Sequence, residues 1–385
     1  MTAAPEDEIV LKLLHTADWH LGRRFSAFED DAERKLMRAR LEVLDRILLA
    51  AERNGVHAVL CAGDLFDEPS PSRVWWEPVA ERFKKYNWKD RPVFLLPGNH
   101  DPLLQDAVWS NTQFRNLLPD FVHIVDRHDF EFTLANNAVL YAVPCMSKAG
   151  QRDPTELIPK RAPGDERVRI GMVHGSTFDA QDCQTNFPIH RDAAVMRGLD
   201  YLAIGDTHGF RLVPPERTCP PTVYPGAPEA TAFDEKDPGS VAVVLINTQR
   251  RAQVRKERVA HWTWEELTVS SIEDLRQLTR RTDLGNRVLR LHVTACLSAP
   301  EYDEAELLLE ELHGTEALHG RVGVLDLHRG ELTLDTSSFD AYCAELPDVL
   351  KAVVRRLRAA AENAEQAPAA QRALFHLYRT SRKAS

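Results

Sequence analysis

Short apolar runs, each followed at once by a polar cluster, recur along residues 9–245, and this alternation constrains the fold more than any other feature of the sequence. Most of the runs are rich in Val, Ile and Leu and are bounded by Gly, Pro or Asp. They are Ile9–Leu14, Ala58–Cys61, Val93–Leu96, Val139–Val143, Val168–Val173, Tyr201–Ile204 and Val241–Ile246. Runs of this kind predict buried strands. A helical pattern from Arg34 to Arg53 separates the first two runs, so a layered α/β core is expected.

The pattern divides the chain into four segments: an acidic terminus expected to be disordered, the α/β core, a smaller strand and helix module, and a helical end. Their bounds are 1–8, 9–262, 263–336 and 337–385. The third segment is long enough for a small appended α/β domain. In the fourth, apolar positions recur at helical spacing. These positions are Leu346, Leu350, Val353 and Leu357, then Ala370, Leu374 and Leu377.

Composition excludes several classes of protein. Hydrophobic residues make up 43% and charged residues 28%, which rules out a collagenous, coiled-coil or wholly disordered chain. The net charge of −10 means that any contact with nucleic acid must be local. No apolar run approaches the ~18 residues that span a bilayer. The acidic N-terminus is the opposite of a secretory signal and the cysteines form no CxxC pair, so we expect a cytoplasmic protein with reduced thiols.

Five polar clusters come directly after predicted strands. They are Asp18-Trp19-His20, Gly63-Asp64-Leu65-Phe66-Asp67, Gly98-Asn99-His100-Asp101, His174-Gly175 and Gly205-Asp206-Thr207-His208. The carboxyl ends of strands in an open α/β sheet share one edge, so these clusters are predicted to converge. Together they offer carboxylates, imidazoles and a carboxamide, a mixture that suits Mn²⁺, Fe²⁺ or Zn²⁺. The set exceeds the needs of one ion and predicts two ions bridged by a shared carboxylate, the arrangement that clamps a phosphate.

The order DxH, GDxxD, GNHD, a strand-end His and a final GxxH resembles the signature of the calcineurin-like metallophosphoesterases. Leu14–Gly22 and Ala62–Asp67 are similar to the SbcD branch of that family, the nuclease subunits of double-strand-break repair complexes. Tyr224–Glu229, with Phe233–Glu235, resembles the closing motif of the same branch. The resemblance implies a four-layer β-sandwich flanked by helices, then a small α/β capping domain and a C-terminal helical tail.

The resemblance also implies two divalent metal ions, with Mn²⁺ expected and Mg²⁺, Fe²⁺ or Zn²⁺ as alternatives. One ion would be held by Asp18, His20, Asp64 and His208, and the other by Asp64 as the bridge, Asn99, His174 and Asp206. His100 would contact the scissile phosphate and help the leaving oxygen depart. Asp101 either orients the His100 imidazole or serves only the turn.

One motif departs from the family pattern, because the usual GHxH reads Gly205-Asp206-Thr207-His208 here. An aspartate still ligates a divalent ion, and would shift the preference toward Mn²⁺ or Mg²⁺. The alternative is that Asp206 turns away and the second metal site is weak or lost.

The expected function is that of a Mn²⁺-dependent DNA nuclease, an SbcD-like homodimeric subunit acting with an SbcC-like coiled-coil ATPase in DNA end processing, repair or defence. The C-terminal helices either grip that ATPase or pack on the chain's own core. Arg23 and Arg24 either bind DNA phosphates or lie on a solvated loop. Two other functions stay open: a dimetal phosphodiesterase for small or cyclic nucleotides, and a non-catalytic structural subunit.

Overall fold

The computed structural model describes residues 8–178, 185–214, 221–315, 318–330, 332–335, 346–363 and 366–383. The chain forms two compact units, Met1–Trp262 and Thr263–Ser385. Residues 1–7 of the predicted disordered terminus, and 337–345 of the predicted helical end, lie outside the described residues. Within the described ranges, no helix is both long and apolar enough to cross a membrane.

The first unit is built on two six-stranded sheets. Its strands are β1 (Ile9–Thr16), β2 (Ala58–Cys61), β3 (Val93–Leu95), β4 (Val122–Ile124), β5 (Phe130–Leu134), β6 (Ala138–Ala142), β7 (Val168–His174), β8 (Thr177–Phe178), β9 (Ile189–His190), β10 (Tyr201–Gly205), β11 (Arg211–Val213), β12 (Thr222–Tyr224), β13 (Ser240–Asn247) and β14 (Ala252–Arg258). The sheet orders are β14-β13-β1-β2-β3-β4 and β11-β12-β10-β7-β6-β5, with β8 and β9 paired separately. The neighbours β1, β2, β3 and β4 run parallel, as do β6, β7, β10 and β12.

Helices and short 3-10 turns complete this unit. They are α1 (Asp30–Arg53), α2 (Arg73–Lys84), α3 (Thr112–Leu117) and α4 (Ala193–Arg197), with turns at Val108–Ser110 and Pro154–Leu157. Successive strand residues point to opposite faces, so Leu13 joins the apolar core between the sheets while Leu14 packs with Leu44 of α1 on the outer side. The outer face of the other sheet packs with α4. The four-layer α/β sandwich predicted from the sequence is confirmed.

The second unit is smaller and has its own apolar core. Its elements are β15 (Thr263–Val269), α5 (Ile272–Arg280), β16 (Arg287–Val293), β17 (Cys296–Leu297), α6 (Ala299–His313), β18 (Gly314–Thr315), β19 (Leu318–His319), β20 (Val324–His328), β21 (Thr333–Leu334), α7 (Asp348–Ala361) and α8 (Ala367–Lys383), with a 3-10 turn at Leu284–Asn286. Three parallel strands form a sheet in the order β15-β16-β20. The two last helices join this core through Val354, Leu374 and Tyr378, and the Tyr378 hydroxyl donates to the carbonyl oxygen of Ala299 at 3.0 Å.

Candidate metal centre

The five polar clusters meet at one edge of the sandwich. The backbone N–H of Asp18 donates to the carbonyl of Gly63 at 3.1 Å, and that of His20 to the carbonyl of Asp64 at 3.0 Å, so the loops after β1 and β2 run side by side. His174 is the last residue of β7 and pairs in register with Gly205, the last residue of β10. The carboxyl ends of both sheets therefore present their side chains to one common space.

The backbone of this region is bent in an unusual way. Asp18, His20, Asp64 and Asp206 have φ values of 56°, 43°, 53° and 111°, a region that residues with a side chain seldom adopt and that costs roughly 1–3 kcal/mol for each. Close packing adds a second constraint, because a Cβ on Gly63 would lie 2.2 Å from Nδ1 of His174. Strain of this kind is kept where the surrounding structure enforces it, and it turns these side chains inward.

One group of donors consists of Asp18, His20 and His208, whose ligand atoms lie within 4.8 Å of one another. The Nε2 atoms of His20 and His208 are 3.1 Å apart. Each ring is anchored through its other nitrogen: His20 Nδ1 lies 3.1 Å from Asp67 Oδ1, and His208 Nδ1 lies 2.5 Å from Glu235 Oε1. With both Nδ1 atoms donating to carboxylates, two Nε2 lone pairs face each other, which is the arrangement a shared cation stabilises.

A second group consists of Asp18, Asp64 and His174. His174 Nδ1 donates to the carbonyl oxygen of Ala62 at 2.8 Å, which leaves Nε2 directed into the site. That Nε2 lies 2.7 Å from Asn99 Oδ1, 3.4 Å from Asp64 Oδ2 and 3.9 Å from Asp206 Oδ1. Asp206 therefore does not turn away from the site.

Asp64, a member of the second group, also faces His20 of the first. Its Oδ2 is 3.4 Å from Nε2 of His174 and 3.7 Å from Nε2 of His20, while its Oδ1 accepts the backbone N–H of His100 at 2.9 Å. This carboxylate is placed as a bridge requires. The donor set, oxygen and imidazole nitrogen around two adjacent centres, fits a pair of divalent ions.

The electrostatics of the site show how much buried charge it holds. Burial raises the pKa of Asp18 to about 6 and lowers that of His20 to about 4. Burial also opposes a charge on His174, but the Asp64 carboxylate outweighs it and raises the His174 pKa to about 10. In return, His174 holds the pKa of Asp64 below its usual range against the effect of burial. A bound cation would take over the role of this imidazolium charge.

His100 lies at the accessible side of the centre. Its side chain is 42% exposed, and its ring meets that of His20 edge-on at 4.7 Å between centroids. Its Nδ1 is 3.2 Å from the carbonyl oxygen and 3.8 Å from the carboxylate of Asp67. Asp67 thus contacts both His20 and His100, and the second Asp of the GDxxD motif was the sequence signal for it.

The expectation that Asp101 orients the His100 ring does not match its contacts. Its Oδ2 accepts the backbone N–H of Phe66 at 2.9 Å and its Oδ1 that of Gly98 at 2.8 Å, deep in the protein. The Asp101 carboxylate therefore does not bond the His100 ring. It joins the loop that carries Asp64 to the loop that carries Asn99. This is the turn role that the sequence left as the alternative.

The two candidate phosphate-binding arginines differ. Arg23 Nη1 lies 3.6 Å from Asp67 Oδ1, which places the guanidinium beside the centre. Arg24 is 78% exposed and its Nη1 lies 3.9 Å from Glu33 Oε1 on α1. Of the two arginines, only Arg23 therefore contacts a side chain of the site.

The chain is similar to several known proteins. A family model described as calcineurin-like phosphoesterase matches residues 11–210. The "uncharacterized metallophosphoesterase YhaO" of Bacillus subtilis (strain 168) is 25% identical over 321 residues, covering 79% of this chain and 75% of that protein. Among solved structures, TT1561 of Thermus thermophilus is 13% identical with a TM-score of 0.39, covering 65% of this chain and 99% of that one. GAP50, described as the anchor in the inner membrane complex of Plasmodium, is 10% identical with a TM-score of 0.34, covering 65% and 89%.

Proposed function

This chain belongs to the calcineurin-like phosphoesterase family, and on that premise we propose that it is a metal-dependent DNA nuclease of the SbcD type. The observation that carries the proposal is the half-exposed His100 beside a paired set of metal-binding side chains. The stretches Leu14–Gly22 and Ala62–Asp67, which resemble the SbcD branch, supply the choice of DNA as substrate. The oxygen and imidazole donors suit Mn²⁺ as the ion, with Mg²⁺, Fe²⁺ and Zn²⁺ as competitors.

Hydrolysis of a phosphodiester needs charge neutralisation, an attacking nucleophile and a proton for the leaving alkoxide. Divalent ions bound at the two groups would neutralise the phosphate and lower the pKa of an attacking water. The protein supplies the rest. His100 Nδ1 is anchored on the Asp67 carbonyl, so in the protonated ring it is Nε2 that carries the proton for the leaving oxygen, and the Asp67 carboxylate is the counter-charge of that ring. Arg23 is placed to hold a non-bridging phosphate oxygen.

The proposal is tested with end-labelled linear duplex and single-stranded DNA incubated with Mn²⁺, Mg²⁺ or EDTA. We expect cleavage that requires Mn²⁺ and that falls about 100-fold or more in His100→Ala, because a general acid is lost. His128→Ala is the matched control, since His128 is exposed outside the site. Cleavage of bis(p-nitrophenyl) phosphate without any cleavage of DNA would replace DNA with a small phosphodiester as substrate. Inactivity on both, in protein that binds metal, would favour a structural subunit.

The partner of the nuclease is a coiled-coil ATPase of the SbcC type, bound by α7 and α8, and the active form is a cytoplasmic homodimer. The docking site is supported by apolar side chains of α7 that are exposed to solvent. Val349 is 76% exposed and Val353 is 40% exposed, whereas Val354 of the same helix is buried. Basic residues flank them along the same helix. An apolar face with basic neighbours suits an amphipathic acidic helix pair.

A pull-down with the ATPase tests this docking site. Val349→Asp combined with Val353→Asp should abolish retention while DNA cleavage by the isolated chain persists. Val195→Asp is the matched control, because Val195 is 51% exposed on α4 of the first unit. Undiminished retention of the double variant would exclude α7 as the docking site without affecting the nuclease assignment. Size-exclusion chromatography with light scattering gives the oligomeric state.

A further inference from the structure

A buried arginine stands behind the metal centre. Arg40 belongs to α1 and is 2% exposed. Among the described residues, its guanidinium donates to main-chain carbonyl oxygens from two segments of the chain. These are the carbonyls of Trp19 (2.7 and 3.0 Å), His20 (3.3 Å), Asp18 (3.5 Å), Glu229 (3.0 Å) and Ala230 (3.1 Å).

Such a residue is costly and therefore needs a reason. Removing a guanidinium from water costs several kcal/mol unless hydrogen bonds replace the lost hydration. Burial lowers the pKa of Arg40 to about 10, so the side chain is still charged at neutral pH. A positive charge this close to a cation site opposes metal binding by Coulomb repulsion. Arg40 must therefore contribute by fixing the position of the main-chain segments whose carbonyl groups it bonds.

What it holds on one side is the strained loop after β1. Asp18 and His20 both have positive φ, and Arg40 gathers the carbonyl oxygens of Asp18, Trp19 and His20 on one guanidinium. These charge-assisted hydrogen bonds offset the strain. They fix the direction in which the Asp18 and His20 side chains leave the backbone.

On the other side, Arg40 holds the segment that positions His208. The carbonyls of Glu229 and Ala230 bond to Arg40, and the segment continues to Thr231 and Glu235. The Glu235 carboxylate accepts from His208 Nδ1 and from the backbone N–H and hydroxyl of Thr231. A single side chain thus ties the loop bearing His20 to the segment that orients His208.

The other group is positioned by different contacts. His174 is held by the carbonyl of Ala62, and Asp101 ties the loop after β2 to the loop that carries Asn99. None of these contacts involves Arg40; the second group shares only Asp18 with the first, and Arg40 reaches Asp18 through its longest hydrogen bond, at 3.5 Å. Loss of Arg40 should therefore affect the two groups unequally.

We propose that Arg40 is a positioning residue for one ion of the pair, the ion that His20 and His208 would hold together with Asp18. The proposal rests on the dimetal part of the proposed function and is independent of DNA as substrate. A purely electrostatic role predicts a different result: loss of the nearby positive charge would tighten cation binding, and a variant that keeps the charge would leave it unchanged.

The test counts Mn²⁺ ions on the metal-free full chain by isothermal titration calorimetry, with free Mn²⁺ measured by electron paramagnetic resonance. Wild type should bind two ions. Arg40→Lys keeps the charge but not the planar fork, and should weaken one ion about 10- to 100-fold while leaving the other within about twofold. Arg169→Lys is the matched control: Arg169 lies on β7 of the second sheet, is equally buried at 1% exposure, and donates to the carbonyl of Pro159.

Each result has one meaning. Two ions with unchanged affinities in Arg40→Lys, or tighter binding, would overturn the role of Arg40 and leave the dimetal assignment intact. Failure of wild type to bind two ions would overturn the dimetal assignment itself. The melting temperature of both variants is measured in EDTA. If it falls equally in Arg40→Lys and Arg169→Lys while only Arg40→Lys loses Mn²⁺, the loss of metal comes from positioning and not from a general loss of stability.

A measurement on wild type covers the case in which Arg40→Lys does not fold. Hydrogen exchange of the metal-free chain should show residues 17–21 and 229–231 opening together, because one guanidinium joins them. If 229–231 exchange far faster than 17–21, Arg40 does not couple the two segments and the proposal is wrong.

Discussion

The two units of this protein use charged residues in opposite ways. Among the described residues, every buried polar or charged side chain except Thr279 lies in the first unit, and so do all the non-glycine residues with positive φ. The second unit has an apolar core and pairs its charges at the surface, as Arg281 does with Glu265. Buried charge and strained backbone lower stability but fix reactive groups in place. The contrast indicates that the first unit is built for chemistry and the second for stable packing.

The largest expected effect is at Asp64, the proposed bridge of the candidate metal centre. Asp64→Asn removes the charge that lies 3.4 Å from His174 and 3.7 Å from His20. We expect phosphodiester hydrolysis to fall about a thousand-fold, equivalent to about 4 kcal/mol of transition-state stabilisation. Initial rates on bis(p-nitrophenyl) phosphate with saturating Mn²⁺ measure this. Asp234→Asn, an exposed position in the same unit, is the control, and a variant at Asp64 that keeps a tenth of the activity would show that this carboxylate is no bridge.

A smaller loss is expected at Asp67, which contacts two histidines of the candidate metal centre. Asp67→Asn keeps the volume of the side chain but weakens its hold on His20 and His100, so activity should fall about 10- to 100-fold. The same assay gives the rate, and a Mn²⁺ titration separates the effect on metal affinity from the effect on kcat. Asp129→Asn, 89% exposed in this unit, should change neither quantity. Wild-type kinetics in Asp67→Asn would mean that the contacts of the Asp67 carboxylate with the two imidazoles carry no function.

The sequence was most informative where chemistry and strand ends coincide. Asp18, Asp64 and His174 could be placed at one edge because each follows a recognisable strand, and parallel strands bring their carboxyl ends together. The direction of a side chain in a turn has no such rule. Asp101 follows His100 in the chain, yet its carboxylate bonds the backbone of Phe66 and Gly98.

Contacts between distant segments were beyond the sequence. The spacing of α1 puts Arg40 on the apolar face, four positions from both Leu36 and Leu44, but it does not reveal the carbonyl of Glu229, which Arg40 reaches 189 positions along the chain. The C-terminal stripe shows a related limit. Spacing placed Val353 on the apolar face, but α7 buries Val354 and leaves Val353 40% exposed, because the packing partner decides which neighbour is inside.

Acid should distinguish the two units. His15 is fully buried, and burial lowers its pKa to about 3, whereas an unfolded chain binds the proton near 6.5. The stabilisation from this neutral imidazole is complete above pH 6.5 and is lost as the pH falls toward 3. Between pH 6.5 and 5, His15 alone should cost the first unit about 2 kcal/mol. In the second unit, Arg281 holds the pKa of the exposed Asp283 below its ordinary value, so that carboxyl titrates below this window.

Hydrogen exchange in EDTA at pH 6.5 and 5 measures how much stability each unit loses in acid. The rates are corrected for intrinsic exchange and are read separately for peptides of each unit. In His15→Gln the pH dependence of the first unit should shrink by the stated amount, and in His128→Gln, an exposed control, it should not. The prediction is wrong if both units lose the same stability in acid. It is also wrong if the pH dependence of the first unit is unchanged in His15→Gln, because His15 would then not be the source of the acid sensitivity.

The smallest effect is expected at the surface of the second unit. Arg281 contacts both carboxylate oxygens of Glu265 at 2.9 Å, but it is 28% exposed, and a pair of this kind contributes about 1 kcal/mol or less. Arg281→Ala, which also removes the surface contacts with Asp283, should therefore lower the unfolding free energy of this unit by about 1 kcal/mol, with hydrolysis unchanged. Leu309→Ala, at a fully buried position of the same unit, should cost about 2–5 kcal/mol. Urea denaturation followed by exchange of peptides from 263–313 compares the two. If Arg281→Ala lowered the unfolding free energy more than Leu309→Ala did, the second unit would depend on its charged residues as the first unit does. The contrast between the two units would then be wrong.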